Sequence, residues 1–158
     1  MDKKKLCLVF QLHQPFRLKR YRFFDIGNDH YYFDDFLNEQ YMRSAAERSY
    51  LPANQMIYDL IQQTQGKVKV AFAISGTALD QIEMYTPELI DSFRKLTETG
   101  CVELLAEPYA HSLSSLAPSK AEFKGQVGMH VTALKAIFNY EPKAVSYTHL
   151  TLPTIYSV

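Results

Sequence analysis

Apolar positions in this chain fall into short continuous runs separated by longer stretches with helical spacing. The first run, Lys5 to Gln11, does not alternate apolar with polar residues, which predicts a parallel strand buried on both faces. Val68 to Ile74 follows Gly66, and Val102 to Leu105 follows Gly100, so each later strand is entered through a glycine that stops a helix. Asp35 to Arg48 contains neither glycine nor proline and reads as a helix. Pro52 then opens Ala53 to Gln63, with Met56, Ile57, Leu60 and Ile61 on one face. Thr86-Pro87-Glu88 supplies a cap, a first-turn proline and a first-turn acid for a helix carrying Leu89, Ile90, Phe93 and Leu96. Ser119-Lys120-Ala121-Glu122 has the spacing of a capping box and starts a helix running to about Phe138; Lys143 to Val145 opens a fourth strand. Such alternation predicts an α/β fold of right-handed parallel units, either an open doubly wound sheet or part of a barrel.

Composition narrows the partners. With 158 residues, 47% hydrophobic and 22% charged, the chain has material for one modest domain with a core. Seventeen basic residues balance seventeen acidic ones, so no overall field recruits nucleic acid or an anionic membrane surface. The apolar run behind the basic start is too short for a signal-peptide core, and no stretch approaches the roughly 20 apolar residues of a membrane span. A cytoplasmic chain with no nucleic-acid or membrane partner is therefore expected. Cys7 and Cys101 lie in apolar runs and read as buried, unreactive thiols. From Val145 to Val158 the composition changes abruptly, with no Asp, Glu, Lys or Arg. That run resembles translated sequencing-adapter read-through, so the expected domain is 1–144 and the expected non-native tail is 145–158.

Candidate chemistry gathers just beyond the three apolar runs. Gln11, His13 and Gln14 follow the first, Ser75, Gly76 and Thr77 the second, and Glu103, Glu107, Tyr109 and His111 lie in or after the third. In parallel strand-helix folds these carboxyl ends converge on one rim, where ligands bind. Glu103, inside an apolar strand, needs a partner such as His13, a polar cavity, or an outlet to water. Glu107 before Pro108 is either a site residue or the end of a strand, and His111 is open in the same way. Between the first strand and first helix, 16–36 holds Tyr21, Phe23, Phe24, Tyr31, Tyr32 and Phe33 among Arg17, Lys19, Arg20 and Arg22. Such rings can stack on sugar faces, but most are expected to build a satellite core under the loop. The usual zinc spacings are missing, and Asp25, Asp29, His30, Asp34 and Asp35 match no calcium loop, so no metal is assigned. Gly76 stands alone rather than in a glycine-rich phosphate loop, and no cofactor is expected.

Four segments carry a family resemblance: Phe10-Gln11-Leu12-His13-Gln14-Pro15-Phe16-Arg17-Leu18, Ile74-Ser75-Gly76-Thr77, Gly100-Cys101-Val102-Glu103 and Tyr109-Ala110-His111-Ser112. Over about residues 5–144 the chain resembles glycoside hydrolase family 57, the retaining amylase and glucanotransferase family. The resemblance implies a partial (β/α)7 barrel that takes an alpha-glucan or maltooligosaccharide substrate at its strand carboxyl ends. By similarity His13 and Glu103 line the donor-sugar site, with Gln14, Glu107 and His111 as further substrate-binding candidates. Retaining hydrolysis needs two carboxylates about 5 to 5.5 Å apart. In this family they come from motifs that would follow Pro142-Lys143, so no catalytic residue is assigned here and the chain is expected to be inactive. Two other readings stay open, a carbohydrate-binding or interaction module without catalysis and a metal-dependent polysaccharide deacetylase-like barrel. Related zinc barrels place an Asp close after the first strand, where Gln14 and Pro15 stand here, which favours a metal-free site.

Overall fold

The computed structural model describes residues 6–146. Three parallel strands, β1 (Val9–Leu12), β2 (Val70–Ile74) and β3 (Val102–Leu105), form a sheet in the order β1-β2-β3. Their register is Val9↔Ala71↔Glu103, rising to Leu12↔Ile74 at the rim. Beyond β3, Ala106 pairs in parallel with Val145: Ala106 N–H donates to Ala144 C=O, and Ser146 N–H donates to Ala106 C=O. Spatial order thus follows chain order through the start of a fourth strand. A barrel grows in this way, whereas a doubly wound sheet needs a reversal of strand order.

Five helices flank the sheet: α1 (Asp35–Ala45), α2 (Leu51–Gln63), α3 (Gly76–Tyr85), α4 (Glu88–Glu98) and α5 (Ala121–Phe138). On α4 the spacing of Leu89, Phe93 and Leu96 makes one fully buried stripe. Phe93 meets Phe72 of β2 edge-on at 5.3 Å and Phe138 of α5 at 6.5 Å. Because strand side chains alternate, Val70, Phe72, Ile74, Val102 and Leu104 share this helix-covered face. Val9, Gln11, Ala71, Ala73, Glu103 and Leu105 share the other, the inner face of the growing barrel.

Several expectations need correction. β1 is not buried on both faces: Val9 is 53% and Phe10 39% exposed, because β1 has a neighbour on one edge only among the described residues. Lys5 lies outside the described residues. Pro52 stands at the opening of α2 as expected, but on a chain that is already helical before it. The chain runs helically from α1 into α2 through a wide turn at Ala46–Tyr50, with Pro52 in the first turn of α2. A π-type turn gives the proline ring the room that tight i-to-i−4 winding denies it.

Helix α3 was not anticipated, since buried Gln81 interrupts its apolar stripe of Ala78, Leu79 and Ile82. Thr86 caps α4 through its backbone carbonyl, which accepts from Leu89 N–H at 2.9 Å, while its hydroxyl has no partner among the described residues. At α5 the expected capping box is not formed: Lys120 is the N-cap and its side chain makes no cap, Ser119 Oγ accepts only from Ala121 N–H, and Glu122 accepts from Gln126 instead of reaching back. Cys101 is buried as expected, whereas Cys7 is exposed at the sheet's lower edge. Val145 and Ser146 apart, the expected tail lies outside the described residues.

The segment 16–36 forms an arm rather than a satellite core. Leu18 pairs with Phe33 in an antiparallel bridge, Lys19 N–H donates to Tyr32 C=O, and Phe16 and Tyr21 meet Phe33 and Tyr32 as tilted ring pairs. Phe23 and Phe24 at its tip are about four-fifths exposed. Among the described residues no helix is long and apolar enough to cross a membrane.

Candidate functional site

The strand parity that separates the two faces also builds the site. Gln11 and His13, Ser75, and Glu107 continue the inward-facing rows of β1, β2 and β3 to the carboxyl rim. His111 joins them by a tight turn: its N–H donates to Pro108 C=O at 2.8 Å, and its φ of +54° places it in the left-handed region. That conformation costs a non-glycine residue ~1–3 kcal/mol, which the surroundings must offset.

The convergence is specific. His13 Nδ1 lies 2.9 Å from Ser75 Oγ, and the His13 ring stacks on His111 at 4.2 Å and 19°. Gln11 Nε2 donates to Glu107 Oε2 at 3.1 Å and lies 3.3 Å from His111 Nδ1. An amide nitrogen can only donate, so His111 Nδ1 accepts and the ring proton sits on Nε2. Glu107 Oε1, 3.6 Å from His111 Nδ1, is buried with no hydrogen-bond partner among the described residues.

Burial sets the protonation states. The Glu107 carboxyl is fully shielded, which pushes it up to about 7 against the opposing pull of the Gln11 amide. Desolvation holds His13 and His111 below the usual imidazole range, and for His13 the nearby His111 adds to the effect. Two stacked neutral rings beside a carboxyl that titrates near neutrality can accept, donate or share a proton with a hydroxyl-rich ligand.

A supporting layer holds this cluster in place. Gly76 is required by close approach, since a Cβ there would lie 2.4 Å from the Tyr109 ring. Tyr109 in turn donates to Asp80 Oδ1 at 2.5 Å, tying the loop after β3 to α3; burial and this bond raise its phenol above the ordinary range.

Sequence reasoning missed His130 of α5, fully buried beneath the rim. Glu107 N–H donates to its Nδ1 at 3.2 Å, and its Nε2 lies 2.7 Å from Ile74 C=O. The available signal was its place on the buried i, i+4, i+8 stripe with Leu134 and Phe138.

Two anticipated residues stand apart. Glu103 shares the inner face with Glu107 but sits four residues lower, roughly 13 Å along the strand. It lines a shallow cleft with Cys7, Lys69, Cys101 and Lys143 at the strands' amino ends. The expectation that Glu103 and His13 share a pocket is therefore corrected; Glu107 takes that place. Gln14 turns to a different network, donating to Tyr50 Oη at 2.9 Å and accepting from Arg17, while Gln81 donates to its carbonyl at 2.7 Å. Among the described residues no three His, Cys, Asp or Glu side chains are grouped to hold a metal ion.

The sequence profile of glycosyl hydrolase family 57 matches residues 7–153. The chain belongs to this family. A Methanocaldococcus jannaschii protein named "Putative alpha-amylase" is 35% identical over 143 residues, covering 89% of this chain and 30% of that protein. The chain thus spans about a third of this relative's length. The 4-alpha-glucanotransferase of Thermococcus litoralis superposes with a TM-score of 0.58 at 18% identity, over 88% of this chain and 18% of that one. The GH57-type branching enzyme of Pyrococcus horikoshii gives 0.59 at 12% over 88% and 33%, and the alpha-amylase AmyC of Thermotoga maritima 0.59 at 14% over 88% and 34%. These structures share the fold. In family 57 terms, β1 to β3 with their helices are similar to the amino-terminal portion of the (β/α)7 barrel.

Proposed function

We propose that this family 57 chain binds an alpha-glucan or maltooligosaccharide at its strand carboxyl ends, as the sugar-holding part of a retaining amylase- or glucanotransferase-type site. One observation carries the reading: Glu107 is buried at the rim with one carboxyl oxygen on Gln11 and the other without a hydrogen-bond partner among the described residues, beside two stacked imidazoles. A buried polar atom without a partner is costly, and a sugar hydroxyl supplies both a donor and an acceptor. His13, with Nδ1 occupied by Ser75, is left with Nε2 for a second hydroxyl. Retaining cleavage needs a second carboxylate about 5 to 5.5 Å from the first, and the hydrogen-bonded cluster contains one, Glu107. The cluster therefore orients sugar, and the bond-breaking pair belongs to segments outside it. Free thiols at Cys7 and Cys101 and a balanced charge fit a cytoplasmic protein with no nucleic-acid or membrane partner.

Calorimetric titration of the chain with maltooligosaccharides tests this reading. Saturable binding is expected, weakened at least about tenfold by Glu107→Gln or His13→Ala, the loss typical of a hydrogen bond to a buried ionisable group. Binding unchanged by both substitutions would refute the site. With a chromogenic maltoside no turnover is expected; turnover abolished by Glu107→Gln would make Glu107 one of the cleaving acids.

A further inference from the structure

In a parallel ladder each second residue of one strand spends both its N–H and its C=O on the neighbour, in a repeating pattern. Here Val70, paired with Val102, donates to Cys101 C=O. Carrying that register upward, the rung at Ile74 would be closed by Glu107 N–H donating to Ile74 C=O. The last paired residues of β2 and β3 are Ala73 and Leu105, and the rung above them is not made directly. The imidazole of His130 fills it, with Nδ1 accepting from Glu107 N–H at 3.2 Å and Nε2 2.7 Å from Ile74 C=O. A carbonyl can only accept, so Nε2 carries the proton and Nδ1 is bare. Both backbone groups and both ring nitrogens are satisfied, within a site from which water is excluded.

We infer that His130 is a positioning residue, an inserted rung that holds β2 and β3 apart at the rim and thereby aims the Glu107 carboxyl at Gln11 and His111. Without the ring, Glu107 N–H can close directly on Ile74 C=O. The peptide of Glu107 then shifts toward β2, and its carboxyl leaves the shielded position facing Gln11. The Tyr109 ring meets His130 edge-on at 6.4 Å, so the same imidazole is packed by the residue that ties the rim loop to α3. A protonated His130 would set a donor against the Glu107 N–H. Burial, which holds this ring below the usual imidazole range, keeps the rung in its working form. The value of this device to sugar binding rests on the function proposed above, but the device itself is a statement about Glu107.

The test uses nitrogen-15 and carbon-13 NMR on the whole chain. At neutral pH the His130 ring is expected as the neutral tautomer with its proton on Nε2. The Glu107 carboxyl carbon is expected to titrate near neutrality. In His130→Leu that midpoint should fall by roughly one pH unit or more toward the ordinary carboxylate range. His130→Asn, whose side-chain oxygen can take the Nδ1 position, should hold it close to wild type. His13 and His111, the titratable groups stacked beside Glu107, are retained in both variants.

A purely structural histidine would lower stability in both variants and leave the Glu107 midpoint of folded protein unmoved, and that result would overturn the proposal. So would a proton found on Nδ1. If His130→Leu does not fold, His130→Met takes its place with the same expected fall, and an unmoved Glu107 midpoint there overturns the proposal. A midpoint that moves while maltooligosaccharide affinity does not would uphold the rung and count against the sugar site.

Discussion

Strands β1 and β2 both carry a valine and a phenylalanine and pair in register, yet they meet opposite environments. All five residues of β2 are buried, whereas only Leu12 of β1 is. β2 has a strand on each edge and helices on one face; among the described residues β1 has a single neighbour. Burial is therefore set by position in the sheet and not by the apolar content of the segment. The continuous apolar run of β1 signals cover on both faces, and the described residues supply it on one. An exposed apolar strand edge of this kind is prone to association.

The comparison breaks most sharply at the centre. Phe72 of β2 touches Phe10 at 5.3 Å on one side and Phe93 at 5.3 Å on the other. Phe72→Ala should cost ~3–5 kcal/mol by emptying the contact between sheet and α4, a large share of a small domain's stability. Phe10→Ala, removing a ring already 39% exposed, should cost about a third of that. Urea unfolding midpoints of the two variants check it; equal losses would mean that β1 is as tightly packed as β2.

The rim gives the next largest effect, and its sign follows from linkage. Between the ordinary carboxylate range and about 7, folded Glu107 keeps a proton that the unfolded chain has released. Stability should therefore fall as pH rises through that window, by on the order of 3 kcal/mol at most. The imidazoles of half-buried His13 and His111 and of buried His130, all held low, act in the opposite sense below their usual range. Comparing wild type with Glu107→Gln isolates the carboxyl: the variant should lose the decline between pH 5 and 7. An identical pH profile in the two proteins would place Glu107 in solvent.

A smaller effect separates the carboxyl ends of the two strands. Gly76, just past β2, lies against the Tyr109 ring, so Gly76→Ala should cost ~1–3 kcal/mol through displacement of that ring. Tyr109→Ala made in the Gly76→Ala background should then cost less than it does alone. Strict additivity of the two in a thermal unfolding cycle would show that they do not touch.

How much of this was legible beforehand depends on the range of the interaction concerned. β2, β3 and the helices before them are marked locally, by runs of fixed length and by Gly66 and Gly100, whose φ values of +74° and +67° other residues rarely adopt. The gathering of Gln11, His13, Ser75, Glu107 and His111 follows from parallel topology, which sends every carboxyl end to one rim. Glu103 was misplaced because alternation fixes a residue's face and not its height, and 103 and 107 share a face. His130 lay outside any strand-end argument, for it reaches the rim from behind through a helix. The exposure of Val9 and Phe10 depends on which strands stand beside β1, and no local pattern carries that.

The smallest prediction applies one chemical change to both strands. Val→Thr keeps side-chain shape and exchanges a methyl for a hydroxyl, so its cost measures dryness rather than packing. Val70 in β2 is 6% exposed and packs within the apolar cluster of the helix-covered face. Val70→Thr should cost ~1–3 kcal/mol for burying that hydroxyl. Val9 in β1 is 53% exposed, and water can satisfy the same group. Val9→Thr should therefore stay within about 0.5 kcal/mol of wild type, helped by threonine's own preference for strands. It should also reduce binding of a hydrophobic dye, because it removes apolar surface from the edge where an incoming strand or chain would add. A Val9→Thr loss equal to that of Val70→Thr would mean that β1 is covered in solution, and light scattering on the same sample would show whether a second copy provides the cover.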